Sequence, residues 1–196
     1  LYEIYGEEKR EIVSFDKISE NLKKAVLTAE DERFYQHHGV DFEAILRAIL
    51  VDMRLQSKSQ GGSTITQQLI RTVYLTGQKT VSRKIREAVL SIQLERKYSK
   101  DQILNWYLNA IPFGQNTYGA EAAARTYFNK SAEDLSLAQA AILTSLIPGP
   151  SYYSPYGPNK EILLQKKDAL LQKMNRTGQI TEEQLEVAKA EKIEFV

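Results

Sequence analysis

TAEDERFYQHHGV, residues 28–40, sets three consecutive acids, two aromatics and two adjacent histidines at the end of an ordinary amphipathic pattern. The stretch before it, SENLKKAVL (19–27), offers Ser19 as an N-cap. Leu22, Ala25, Val26 and Ala29 then recur on one stripe, so a helix is predicted from Ser19 to about Asp31. Leu22, Val26 and Glu30 stand at i, i+4 and i+8, which carries Glu30 onto that buried stripe at the helix C-terminus. Asp31 points about 100° away. Two readings of Glu30 stay open from position alone. A carboxylate there is partly desolvated and close to a negative dipole end, which suits proton transfer; it could equally be a structural ion-pair partner. His37 and His38 have no third ligand at zinc spacing, so His37 is read as a hydrogen-bonding residue of the turn that Gly39 closes.

Outward from this stretch the chain reads as helix after helix. Asp41 caps a second helix, with Phe42, Ile45, Leu46, Ile49 and Met53 at helical spacing. A third is predicted from Thr64 to Leu75, opened by a Thr64/Gln67 capping box. A fourth runs from Val81 to Tyr98 with Ile85, Val89 and Ile92 inward, and a Ser99/Gln102 box opens a fifth. Further helices fit AEAAARTYF, LSLAQAAILTSLI, KEILLQKKDALLQKM and EEQLEVAKAEK, with breaks at IPFGQN, IPGPSYYSPYGP and NRTGQ. LYEIY and EIVSF are predicted to pair as one short hairpin around Gly6. No glycine- or serine-rich linker divides the 196 residues, so the fold class is mainly α, one bilobed domain with at most a small β-hairpin.

Composition narrows the chemistry. Apolar residues are 42% and charged residues 26%, as in a folded globular protein. The absence of cysteine excludes disulfides, a thiol nucleophile and thiolate metal sites. A formal net charge of +1 gives no global case for nucleic acid. The most apolar run, AILRAILVDMRL (44–55), is broken by Arg47, Asp52 and Arg54 and falls short of the ~18 residues of a membrane span.

Two local features stand out. In QGGSTITQQLIR (60–71) two glycines lead into Ser63, Thr64 and a helix N-terminus, a recipe for holding an anion with free N–H groups and hydroxyls. No Lys-Ser/Thr follows at P-loop spacing. Gln67 and Gln68 add amides. Residues 71–100 then hold eight basic residues, among them Arg71, Lys79, Arg83 and Lys84, against only Glu87 and Glu95. A charge run is commonly a solvated face. Directly after an anion-shaped loop, it also suits a phosphate-bearing ligand.

EDERFYQHHG (30–39), GGSTITQQ (61–68), RKIRE (83–87) and KDQILNWYLN (100–109) stand in one order. On these four motifs the chain resembles the peptidoglycan glycosyltransferase domains of class A penicillin-binding proteins and monofunctional transglycosylases, which are lysozyme-like. With TYFNKS and IPGPSYYSP, the resemblance covers nearly the whole chain. A fifth motif usually carries an arginine pair where this chain has Lys166 and Lys167, so the bidentate fork is lost and phosphate contact by that pair is not carried over.

The resemblance implies an inverting enzyme that polymerises lipid II into β-1,4-linked glycan strands and releases undecaprenyl pyrophosphate. Glu30 would be the general base and Glu87 the second acid, orienting the donor or helping to bind Mg²⁺ or Mn²⁺. Asp31 would position the first motif. Ser63, Gln67, Gln68, Arg83 and Lys84 would line the pyrophosphate site by motif, and Arg71 and Lys79 by charge and position. The partners implied are lipid II, the growing strand and the membrane surface, without nucleic acid. Residues around 40–75 would form a small membrane-proximal lobe beside a larger one. The implied location is the outer face of the bacterial cytoplasmic membrane, with an anchor before Leu1 and a transpeptidase domain after Val196. Two other classes compete: a lysozyme-like muramidase that uses Glu30 as acid, which would not need the anion site, and a helical polyanion-binding module, which would need more exposed aromatics than Tyr74 and Tyr98.

Overall fold

The computed structural model describes residues 9–46, 62–74 and 80–196. It is mainly α-helical: α1 Glu20–Glu30, α2 Ile65–Tyr74, α3 Val81–Glu95, α4 Lys100–Ala110, α5 Ala120–Phe128, α6 Leu137–Leu146, α7 Lys160–Arg176 and α8 Glu182–Ala190. Residues 42–46 are also helical, and Asp41 Oδ1 accepts from Ala44 N at 2.9 Å as its cap. The rest of that predicted helix lies outside the described residues. Three short strands, β1 Lys9–Arg10, β2 Pro112–Gly114 and β3 Thr117–Tyr118, make a small sheet in the order β1-β3-β2.

The capping signals hold wherever they are local. Ser19 Oγ accepts from Leu22 N at 3.2 Å. Thr64 and Gln67 exchange bonds of 3.1 and 3.2 Å, and Ser99 and Gln102 bonds of 3.0 and 3.3 Å. Of the predicted hairpin, LYEIY lies outside the described residues. Residues 11–15 form no strand, and Lys9–Arg10 pair in parallel with Thr117–Tyr118. The antiparallel pair is β2 with β3, within what the sequence marks as a break. Gln115 and Asn116 both take positive φ there, the two-residue turn geometry that matches strand twist.

The chain divides into two compact units, one made of residues up to Ala29 with Leu108–Val196, the other of Glu30–Tyr107. The first is built around α6. Its sequence is mostly apolar, and Ala138 to Leu146 are buried without exception, Gln139, Thr144 and Ser145 included. α7 packs against it through Leu163, Leu170, Leu171 and Met174. Lys173 donates to Thr28 O at 2.6 Å, covering a carbonyl in the last turn of α1 that has no helical partner. Of the lysine pair, Lys167 is buried against Asp168 at 3.0 Å, and Lys166 lies over the Tyr153 ring at 4.8 Å.

The second unit corrects one reading outright. Ile85 and Val89 of α3 are 60% and 49% exposed, whereas Glu87 and Ser91 are fully buried. The inward stripe is Arg83, Glu87, Ser91 and Glu95, spaced four apart. The helix has turned its polar side inward because that side meets charges and hydroxyls of the same unit. Gly39 explains the small residue in that stripe. Its φ is +88°, and a Cβ there would stand 2.7 Å from the backbone of Ser91 and Ile92. The turn therefore lies directly on α3.

Candidate active site

Glu30 is the last residue of α1 and is half-buried. Ala29, although on the predicted stripe, is exposed. Apolar packing thus gives out beside Glu30, which leaves its carboxylate partly open. Gln68, one turn into α2, donates from Nε2 to Glu30 Oε2 at 2.8 Å. The other end of the same amide, Oε1, accepts the Tyr107 hydroxyl at 3.1 Å.

Asp31 goes the opposite way, as helical geometry requires, and is buried. Its Oδ2 accepts Ile65 N at 3.0 Å, one of the partnerless N–H groups at the start of α2, and His37 Nε2 at 2.9 Å. Asp31 is thus spent on joining the end of α1 to the start of α2, and its side chain faces the interior. His37 Nδ1 lies 3.5 Å from Lys100 Nζ. A neutral ring protonated on Nε2 donates to Asp31 and accepts from Lys100, satisfying both contacts. Lys100 pairs with Glu95 at 2.8 Å and lies 4.3 Å over the Phe34 ring; Thr66 Oγ1 donates to Glu95. His37 does bond within its own turn, but it also reaches a lysine 63 residues away.

The anion-shaped loop and the basic helix come together. Lys84 donates to Ser63 Oγ and pairs with Glu87 at 3.3 Å. Arg83 Nη1 stands 3.0 Å from Glu87 Oε1. Glu87 is fully buried and Arg83 mostly so, while Lys84 is nearly half exposed, so the acid holds both cations and Lys84 reaches outward. Arg83 Nε and Glu87 Oε1 are buried with no hydrogen-bond partner among the described residues. The half-exposed Lys84 ammonium beside the Ser63 hydroxyl fits a phosphate oxygen.

The predicted residues divide accordingly. Ser63, Arg83, Lys84 and Glu87 form one cluster, and Glu30 and Gln68 another. Gln67 is withdrawn from ligand duty: it is buried and closes the α2 capping box with Thr64. Arg71 is half-buried on α2, and its charge is felt at the Tyr107 hydroxyl. Lys79 lies outside the described residues. Tyr107, Lys100 and Glu95 were not singled out as site residues. Their pattern signal is weak, because a tyrosine on an apolar stripe reads as core.

No group of three His, Asp or Glu side chains that could hold an ion occurs among the described residues, and Glu87 is already paired with two cations.

A family model described as Transglycosylase matches residues 1–175. Penicillin-binding protein 1A of Aquifex aeolicus is 45% identical over 188 residues, covering 96% of this chain and 26% of that protein. Penicillin-binding protein 1F of Bacillus subtilis is 43% identical over 175 residues, covering 89% of this chain and 24% of that protein. The chain thus spans about a quarter of the length of the curated relatives it matches. The crystal structure of penicillin-binding protein 1A from Haemophilus influenzae superposes with a TM-score of 0.60 over 97% of this chain and 19% of that one. At 22% identity, that likeness speaks for the fold.

Proposed function

This chain belongs to the transglycosylase family of peptidoglycan glycosyltransferases, and from that premise we propose that it polymerises lipid II with inversion at the donor sugar. The observation that carries the reading is the composition of the second unit. It holds a half-open carboxylate at a helix end, Glu30, and a built anion cradle of Ser63, Arg83 and Lys84 braced by buried Glu87. A hydrolase acting on finished glycan would need the first and not the second.

In this reading Glu30 takes the proton from the 4-hydroxyl of the acceptor N-acetylglucosamine. The freed oxygen attacks the anomeric carbon of the donor's N-acetylmuramic acid. The bond from that carbon to the pyrophosphate breaks, and its electron pair leaves with undecaprenyl pyrophosphate. Arg83, Lys84 and the Ser63 hydroxyl meet the charge that develops on the leaving group. Glu87 keeps the two cations aimed. Mg²⁺ or Mn²⁺, if used, would draw most of its ligands from the pyrophosphate and water, and no step above depends on it.

The donor's lipid must stay in the bilayer while its head enters the site, because each CH₂ drawn into water costs about 0.8 kcal/mol. Phe42 and Leu46 are 73% and 59% exposed at the start of the helix capped by Asp41, and we assign the membrane contact to that surface. The remaining apolar residues of that predicted surface, Ile49, Leu50 and Met53, with Arg47, Arg54 and Lys58, lie outside the described residues, and half-buried Ile45 stands with Phe42 and Leu46. The enzyme would then work at the outer face of the cytoplasmic membrane, within a longer protein that carries a transpeptidase domain.

The test is incubation with labelled lipid II and separation of polymer, hydrolysed sugar and unchanged substrate. Polymer is expected; hydrolysed sugar alone would make the chain a hydrolase. Glu30→Gln should cut polymer formation at least ~100-fold, the usual loss for a positioned base, with the melting temperature held. Near-normal turnover in that variant would remove Glu30 from the mechanism.

A further inference from the structure

Tyr107 is fully buried on α4, and its hydroxyl donates to the Gln68 amide. The two ends of a side-chain amide are nearly equal in size, so packing cannot decide which faces a neighbour. Hydrogen bonds decide it. Here the choice matters, because one end meets Tyr107 and the other meets Glu30 Oε2 at 2.8 Å.

We infer that Tyr107 is a positioning residue for the Glu30 base, because its hydroxyl claims Gln68 Oε1 and so leaves the amide NH₂ aimed at the carboxylate. The inference rests on the reading of Glu30 as the base. The hydroxyl is a permanent donor. Burial pushes its pKa well above the ordinary tyrosine value; the negative charges of Glu30 and Asp31 at the end of α1 push the same way, and Arg71 on α2 opposes them. The phenol therefore keeps its proton at any working pH and must place it on an acceptor. The acceptor is Gln68 Oε1, 3.1 Å away.

Turning the amide over would set a carbonyl oxygen against the Glu30 carboxylate and, although the NH₂ could donate to the phenol oxygen, would leave the buried phenol proton without its acceptor. With the hydroxyl present that arrangement fails twice. Without it, the reversed amide loses only at Glu30, and there it becomes tolerable as soon as Glu30 is protonated. A donor facing a carboxylate favours the ionised form, and an acceptor facing it favours the acid. Tyr107 thus keeps Glu30 charged and fixed in direction without contacting substrate.

Tyr107→Phe removes the hydroxyl and keeps the ring. For labelled lipid II, kcat should fall about tenfold, the worth of one hydrogen bond made to a charged partner's relay, with KM unchanged. The acidic limb of the kcat–pH profile should move up by about one pH unit. In a Gln68→Ala background the same substitution should change neither quantity, since the relay is already cut. An unmoved acidic limb in Tyr107→Phe, or equal losses in both backgrounds, would make Tyr107 a packing residue and overturn the inference. If Tyr107→Phe is unfolded at the assay temperature, the profile is measured below its transition, where a raised acidic limb supports the relay and an unmoved one overturns it. Glu30→Gln measured in parallel separates the two levels. If that variant is active, the base assignment fails and the relay with it. If it is inactive while the Tyr107→Phe limb stays put, only the relay fails.

Discussion

The interiors of the two units are made of different material. In the first, α6 buries mostly alanine, isoleucine and leucine, with Gln139, Thr144 and Ser145 among them, and α7 covers it with more leucine. In the second, the interior holds Asp31, His37, Glu87, Glu95, Gln67, Thr66 and Ser91. Apolar burial stabilises by roughly 25 cal/mol per Å² and asks for no particular direction. Buried charge is costly unless each group is paired and hydrogen-bonded, but a paired charge can be in only one place. The first unit is organised for cohesion, the second for aim.

That contrast can be attacked directly, first where the effect is largest. Glu95→Ala leaves Lys100 without its 2.8 Å partner and Thr66 without its acceptor, so unfolding should cost about 4 kcal/mol less. The double variant Glu95→Met, Lys100→Leu removes both charges together. Chemical denaturation should find it near wild-type stability, while lipid II polymerisation drops, because His37 and Asp31 lose their support. A double variant that keeps both stability and turnover would show that the polar interior is not there for aim.

Leu143→Ala tests the other side. Leu143 is fully buried in α6, so stability should fall by about 3 kcal/mol. Turnover per folded molecule, measured below the transition, should hold. A fall in turnover of the folded fraction would mean that the first unit's core also tunes the chemistry. The smallest effect on stability belongs to apolar residues that are not core. Phe42→Ser with Leu46→Ser should leave the melting curve within about 0.5 kcal/mol, yet reduce sedimentation with anionic liposomes. Unchanged liposome binding would move the membrane contact elsewhere.

How much of this was readable in advance follows from distance along the chain. Capping boxes at Thr64 and Ser99 close over three residues, and the sequence signals them faithfully. Glu30 was half legible, since its stripe gave its direction but not the partner 38 residues away. The inward face of α3 was read the wrong way round. Periodicity locates an apolar stripe but does not say which side a charged interior will claim. The Asp31–His37–Lys100–Glu95 chain joins one turn to two helices, and no local pattern announces it. The hairpin was sought in β-branched residues near Gly6, while the turn lay at Gln115–Asn116, where two residues accept positive φ.

Glu30 and Asp31 are neighbours with opposite employment, one half-open and bonded to Gln68, the other sealed against Ile65 N and His37. What separates them is a single step of about 100° on α1. Inserting one residue in Glu20–Ala29 would turn Glu30 into the direction Asp31 now takes, and deleting one would turn Asp31 into that of Glu30. Substitutions on the outer face of that helix, at Lys24 for example, leave both where they are. The helix therefore behaves as a ruler: its spelling can drift over time, while its length in residues is fixed.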